Sequence, residues 1–218
     1  MTLRRVSALF VDPNGVYAGL PGVDLWPIQR DARTYIGDDP VVAHPPCQRW
    51  GKFATGGTHP SAKRQTIGDD GGCFRAALGA VRICGGVLEH PKDSKAWAAY
   101  GIRSPPPEGG WVRADAYGGY TCCVWQGHYG HFAGKATWLY AANVTLPDLK
   151  WGKAEANIPA WMVERYGERK ARKIGLVAMV GGKDKTRTRE ATPPAFAELL
   201  LSIARTAWPL KIPDGHDP

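Results

Sequence analysis

Two short apolar runs, separated by a helical stretch, constrain the fold of this chain more than any other feature. The first run covers 40–44 and ends at Pro45-Pro46, and the second covers 87–91. Between them, residues 73–82 carry apolar side chains at helical spacing. A strand, a helix and a second strand in this order predict a parallel strand pair joined by a crossover helix. The sequence therefore indicates an α/β domain.

The remaining elements fit one domain of this class. Apolar and β-branched runs predict further strands at 6–11, 22–26, 120–125 and 136–141, the last two as an antiparallel pair. A closing helix is predicted from about 193 to 207, with Thr192 as its N-cap. We therefore expect a single α/β domain over residues 1–208, with a parallel or mixed sheet. A Pro- and Gly-rich insertion is expected at about 101–119 and a loose C-terminal tail at 209–218.

Charge and cysteine content narrow the functional classes. The chain has 28 Lys and Arg against 20 Asp and Glu, a formal net charge of +8, which favours a polyanionic partner such as nucleic acid or a nucleotide. We expect a cytoplasmic protein with no membrane partner, because no apolar run is long enough to cross a bilayer and the N-terminus lacks a signal-peptide pattern. Five irregularly spaced cysteines then indicate free thiols, metal ligands or a nucleophile.

Two chemistry-bearing blocks end the two strands of the parallel pair. Pro45-Pro46 fixes the backbone as the chain leaves the first strand and holds Cys47 at its carboxyl end, where open α/β sheets bind ligands. Arg49 and Lys52 are close enough in sequence to lower the pKa of that thiol. Glu89 ends the next strand. A thiolate there can attack a ring carbon while a carboxyl group shares a proton with a ring nitrogen.

In order, these blocks resemble the landmarks of DNA cytosine-C5 methyltransferases, in a compact and divergent form of phage or prophage type. Pro45-Pro46-Cys47 matches the nucleophile turn of that family, and Leu88-Glu89-His90-Pro91 keeps the glutamate of its Glu-Asn-Val block. The stretch from Gln126 to Lys135 is similar to the segment that positions the base, and Thr192-Pro193-Pro194 to the final helix. The cofactor loop departs from the family, since Phe10 to Tyr17 retains one glycine.

The resemblance implies a Rossmann-like fold of the S-adenosylmethionine-dependent methyltransferase type, acting on a pyrimidine of DNA. Cys47 would add to C6, Glu89 would face N3, and C5 would take a methyl group from S-adenosylmethionine. Four residues would be catalytic: Cys47, Glu89, Gln126 and Lys135. Six would bind the cofactor: Phe10, Asp12, Gly15, Asp24, Asp31 and Pro45. Five further residues would contact nucleic acid: Arg49, Trp50, Lys52, Arg187 and Arg189. Lys135 would contact phosphates as well.

Three alternatives remain open. The chain is too short for a full target-recognition domain, so a free pyrimidine nucleotide is a second possible substrate. The altered glycine loop also fits a catalytically inactive fold that only binds DNA. A zinc-containing nucleic-acid-binding module is the third, with six potential ligands: His44, Cys47, Cys122, Cys123, His128 and His131. Because Cys122 and Cys123 are adjacent on a predicted strand, they are expected to point to opposite faces, and the favoured interpretation has no metal.

Overall fold

Seven strands pair into one mixed sheet that organises the part of the chain described by the structure. This structure is a computed structural model, and it describes residues 3–51, 54, 66–177 and 191–208. The strands are β1 (Val6–Leu9), β2 (Val23–Trp26), β3 (Val41–Ala43), β4 (Gly86–Pro91), β5 (Val112–Arg113), β6 (Tyr120–Trp125) and β7 (Ala136–Ala142). Their order across the sheet is β2-β1-β3-β4-β7-β6-β5. The α/β class and the single domain are therefore confirmed.

Five α-helices accompany the sheet within the described residues. They are α1 (Cys73–Cys84), α2 (Lys95–Ala99), α3 (Ala160–Tyr166), α4 (Glu168–Val177) and α5 (Pro194–Arg205). Helix α1 connects β3 to β4, and these two strands are parallel, as the sequence predicted. The pair β6–β7 is antiparallel, also as predicted. In contrast, the 13 residues between β1 and β2 form a series of turns rather than a helix.

Each face of the sheet is covered by one main helix. On one face, Phe196 and Leu200 of α5 are fully buried in a cluster with Val42 and Val87. On the other face, Phe74 of α1 packs in a second cluster with strand side chains such as Leu9 and Leu88. Burying one large apolar side chain contributes about 1.5–3 kcal/mol, so these two layers supply the main stabilisation of the domain.

The strand directions bring five strand ends together at one edge. Strands β1, β2, β3 and β4 are parallel, and β6 runs with them because β7 is antiparallel to both β4 and β6. We call this edge, where these five strands end and β7 begins, the carboxyl edge. The chain order also reverses here, since β2 lies on one side of β1 and β3 on the other. Open α/β sheets bind ligands at such a reversal.

Two local expectations need correction. The stretch 101–119 is more than an irregular insertion, since it contributes the edge strand β5, whose Val112 pairs with Thr121 of β6. Helix α5 has Pro193 as its N-cap, with no side-chain capping bond, so the N-cap prediction for Thr192 is wrong. The predicted tail at 209–218 lies outside the described residues. No helix in the described ranges is long and apolar enough to span a membrane.

Candidate functional site at the carboxyl edge

A buried carboxylate lies at the centre of the carboxyl edge. Glu89, near the end of β4, is 12% exposed at its side chain. Its Oε2 lies 3.1 Å from Nδ1 of His44, which follows β3. Its Oε1 lies 3.3 Å from Nε2 of Gln126, which follows β6. Side chains that follow β3 and β6 therefore converge on the carboxylate of β4.

The period of two along each strand explains why these three side chains meet. Val42, Val87 and Val124 point into the cluster beneath α5. A residue two positions further along a strand points to the same face, which places His44, Glu89 and Gln126 on the α5 side. Register then aligns His44 with Glu89, since Val42 pairs with Val87. Gln126 follows the end of β6 and reaches back to Glu89 past Thr137.

His44 connects Glu89 to a tyrosine that the sequence interpretation missed. The hydroxyl oxygen of Tyr17 lies 2.8 Å from Nε2 of His44. A carboxylate only accepts hydrogen bonds, so in a neutral imidazole Nδ1–H donates to Glu89 and Nε2 accepts from the Tyr17 hydroxyl. Burial, and then the charge of Glu89, raise the pKa of Tyr17 well above its ordinary value. The phenol therefore stays protonated and fixes the orientation of the ring.

The surroundings of Glu89 keep it ionised. Burial alone would raise the pKa of this carboxyl group. The hydrogen bond from His44 and the electrostatic effects of His44 and Lys135 more than offset burial, so the pKa of Glu89 lies below its ordinary value. The site thus presents a negative charge in a setting that excludes most water.

Gln126 and Lys135 frame the other side of this carboxylate. Gln126 is fully buried, and its Nε2 also donates to Oγ1 of Thr137 over 2.9 Å. Its Oε1 is buried without a hydrogen-bond partner among the described residues. Nζ of Lys135 donates to the carbonyl of Ala191 over 3.0 Å. Both residues predicted to be catalytic here do lie at the same edge as Glu89, and Thr137 is a partner that the sequence did not indicate.

Cys47 lies three residues after His44 and is partly exposed. Its carbonyl accepts from the amides of Trp50 and Gly51, over 3.0 and 3.1 Å, so the thiol stands at the start of a helical turn. Behind this turn lies His90, which is 1% exposed and whose Nδ1 is 2.6 Å from Oγ of Ser94. Burial lowers the pKa of His90 to about 4, although the neighbouring carbonyls of Pro45 and Pro46 oppose that shift. A neutral ring therefore packs against the proline turn.

The residues predicted to contact nucleic acid divide into three groups. Trp50 is 5% exposed, packs against Phe74 and Tyr100, and donates from Nε1 to Asp70 over 2.8 Å. Base stacking at Trp50 stays a prediction that this burial disfavours. Nη1 of Arg49 is buried with no hydrogen-bond partner in the described part of the chain, a donor that suits a phosphate. Three residues lie outside the described ranges: Lys52, Arg187 and Arg189.

The residues predicted to bind S-adenosylmethionine are spread over several local structures. Phe10 directly follows β1 with a left-handed φ of 59°, and Pro45 is buried in the turn before Cys47. Oδ1 of Asp12 accepts from the amide of Asn14, and its carbonyl accepts from the amide of Gly15. These bonds close a tight turn that leads to Tyr17.

Two of the acidic residues predicted to bind the cofactor, Asp24 and Asp31, already have arginine partners. Asp24 forms ion pairs with Arg5 and Arg30 at 3.1 and 2.8 Å. Asp31 is paired with Arg33 at 2.7 Å.

In this structure the residues do not form a cradle that fits S-adenosylmethionine. A dinucleotide-type site places a helix N-terminus after the first strand, but the β1–β2 connection has turns instead. Tyr17 from that connection is 3% exposed and occupies the reversal beside His44. Cofactor binding stays a prediction.

The predicted zinc ligands are dispersed. Cys122 lies in the α5-side cluster and Cys123 in the α1-side cluster, which confirms that they point to opposite faces. His44 faces Glu89, whereas His131 is buried with Nδ1 near the backbone of Ala133. Across the residues that the structure describes, no group of three or more His, Cys, Asp or Glu side chains is placed to hold a metal ion.

A groove of about 450 Å³ lies at the opposite edge of the sheet, between the end of β7 and Trp208. Its lining carries no acidic or basic side chain, so it offers no group for acid–base chemistry.

Comparisons with models of known protein families, with curated proteins and with solved structures gave no match.

Proposed function

We propose that this protein modifies a pyrimidine base of DNA at the carboxyl edge, with Cys47 as nucleophile and Glu89 facing the ring nitrogen. One observation carries the proposal: His44 and Gln126 hold an ionised, buried glutamate, and the partly exposed Cys47 follows His44 by three residues at the neighbouring strand end. Oε1 of Gln126, which has no hydrogen-bond partner among the described residues, supports it, since a base amino group would satisfy that acceptor. The net charge of +8 favours a polyanionic substrate.

The chemistry can be derived for this chain's own residues. A base within a duplex must leave the stack before Cys47 can reach it. The Sγ thiolate forms a bond to C6, and the electron pair of the C5–C6 double bond becomes shared between C5 and N3. Glu89 relays a proton from water to N3 and neutralises it, while His44 holds the carboxylate in place. C5 is then nucleophilic and takes a proton from the solvent, which is a deuteron in D₂O, while N3 returns its proton by the same route. When C5 loses its original proton to water, the C5–C6 double bond re-forms and Sγ departs as a thiolate.

A second candidate is a nucleic-acid-binding protein without catalysis. The turns between β1 and β2 and the arginine pairs of Asp24 and Asp31 favour it, because they take the place of a cofactor cradle. S-adenosylmethionine remains the proposed methyl donor of the first candidate. The two candidates therefore differ in whether Cys47 activates C5, a step that needs no cofactor.

Deuterium exchange at C5 tests this step directly. An oligonucleotide or free deoxycytidine monophosphate is incubated with the protein in D₂O, and mass spectrometry of the nucleosides measures deuterium in deoxycytidine. We expect exchange with the wild type and with Cys84→Ser, a control cysteine at the far end of α1, and none with Cys47→Ser. Comparing the oligonucleotide with the monophosphate identifies the substrate class.

Undiminished deuterium exchange in Cys47→Ser would show that Cys47 is not the nucleophile. Tight oligonucleotide binding by a wild type that shows no exchange would favour the second candidate. Calorimetric titration with S-adenosylmethionine, in the presence and absence of the oligonucleotide, then tests the cofactor.

A further inference from the structure

A short helical hairpin stands beside the carboxyl edge and has no role in the chemistry above. It consists of α3, Gly167 and α4. Gly167, with a φ of 73°, donates its amide to the carbonyl of Val163 over 2.8 Å and ends α3. A left-handed residue at this position suits glycine, so the chain reverses within one residue.

The hairpin has a small core of its own that attaches it to the site. Met162 of α3 and Ala171 of α4 are fully buried, and Phe132 packs against them. Phe132 lies between Gln126 and Lys135, the two site residues that flank Glu89. Lys135 in turn bonds to the carbonyl of Ala191, just before α5. The hairpin is therefore packed against the segment that frames the carboxylate.

The outer surface of the hairpin combines basic and aromatic side chains. Trp161 is 47% exposed. The ring of Tyr166 has the guanidinium of Arg165 at 5.5 Å and the ammonium of Lys170 at 5.3 Å. Over 160–172 the basic residues are Arg165, Arg169, Lys170 and Arg172, and the acidic residues are Glu164 and Glu168. Glu168 is paired with Arg172 at 2.8 Å, which leaves a net positive surface.

From this combination we infer that the outer face of the hairpin binds the DNA backbone and guides the strand to the carboxyl edge. The inference rests on the proposed function. Basic side chains neutralise phosphates, and an exposed tryptophan offers a flat ring for a base of a displaced single strand. The basic side chains could also bind an acidic surface of another protein, but that partner would not explain why Trp161 is exposed. Residues 143–193 hold no separate recognition domain in their described part, so the hairpin is the element at this edge that can take that role.

The test compares two variants that each remove two positive charges. Arg169→Ala/Lys170→Ala alters the hairpin, and Arg103→Ala/Arg113→Ala alters exposed arginines near the opposite edge of the sheet. Fluorescence anisotropy measures binding of a labelled duplex and of a single strand over a series of salt concentrations. We expect the hairpin variant to lose about 10-fold more duplex affinity than the control. The slope of the logarithm of its binding constant against the logarithm of salt concentration should become less negative by about 2. Trp161→Ala should weaken single-strand binding about 10-fold and duplex binding less.

Circular dichroism and thermal unfolding check that the variants stay folded. Equal losses in the two double variants would overturn the inference, because they would report only the overall charge of the protein. Unchanged DNA affinity in the hairpin variant would also overturn the inference and would favour an acidic protein as the partner of the hairpin surface. These outcomes are separate from failure of the proposed function, which appears as absent C5 exchange in the wild type whatever the DNA affinity.

Discussion

Among the individual residues, Glu89 shows how neighbours decide the charge of a buried group. Burial penalises the ionised form, and only the partners around it reverse that effect. His44 supplies the first of these partners, at 3.1 Å, and is itself oriented by Tyr17. The charge of Glu89 therefore depends on His44, which directly precedes the turn that carries Cys47.

Replacing His44 should reverse the ionisation of Glu89. In His44→Asn the hydrogen bond and field of the imidazole are lost, so burial dominates and the pKa of Glu89 rises above its ordinary value. Infrared difference spectra at pH 6 should then show the band of a protonated carboxyl group. Tyr17→Phe is the matched control, since it keeps Nδ1 of His44 beside Glu89. The interpretation is wrong if the band also appears in His44→Asn/Glu89→Gln or is missing from His44→Asn.

At the scale of elements, the start of β4 shows how closely two parallel strands approach. Gly86 has a φ of 136°, and a Cβ built there would lie 1.9 Å from the carbonyl oxygen of Val41 on β3. That oxygen belongs to the backbone, so it cannot rotate away. The β3–β4 pair that brings His44 to Glu89 therefore requires glycine at this position.

Gly79, inside the crossover helix α1, and Gly86, just after it, should respond oppositely to alanine. Gly86→Ala should destabilise the protein by several kcal/mol through backbone clash and strain. Gly79→Ala, inside α1 with open space around its Cβ position, should stabilise it by up to about 1 kcal/mol because alanine favours helix. Urea unfolding measures both. A Gly86→Ala protein as stable as the wild type would contradict the close approach.

Periodicity in the sequence accounts for most of the sheet but not for its short elements. The strands β1, β2, β3, β4, β6 and β7 and the helices α1 and α5 were predicted, because apolar and β-branched runs or helical spacing mark them in the sequence. Strand β5 has two residues and helix α2 five, which is too short for a period to be recognised. The hairpin was missed because its mostly charged segment buries few side chains.

The site could be predicted only as far as strand order allowed. Cys47 and Glu89 were expected at the ends of neighbouring parallel strands, and the β3–β4 pairing confirms this placement. Tyr17 was missed because it reaches His44 from a connection 27 residues earlier, a contact that no local pattern encodes. Thr137 and His90 were missed for a similar reason, since each acts through a partner on another strand or turn.

For the whole molecule, buried histidines set the lower pH limit of stability. Burial lowers the pKa of both His90 and His131 to about 4. An unfolded histidine titrates near 6.5, so between these values the unfolded chain binds more protons than the folded one. The stabilising effect of the neutral rings is complete above pH 6.5 and is lost as the pH falls towards 4.

Chemical denaturation over this pH range should show the effect. The free energy of unfolding should fall by up to about 3 kcal/mol for each ring between pH 6.5 and pH 4. His131→Gln should reduce the pH dependence by the amount that one proton contributes, whatever its stability at pH 7. A wild type whose stability stays constant from pH 6.5 to pH 4 would contradict the burial of neutral imidazoles.

The position of α5 determines when this protein can fold during its synthesis on the ribosome. The helix is made after all seven strands, yet it covers the face that includes β1, and Arg4 beside β1 donates to the carbonyl of Ala207 beyond α5. Translation adds about 5–20 residues per second. For several seconds the nascent chain therefore carries a complete set of strands with one apolar face uncovered. Folding of the domain is completed only once α5 has left the ribosome, and until then the chain has the greatest need of a chaperone.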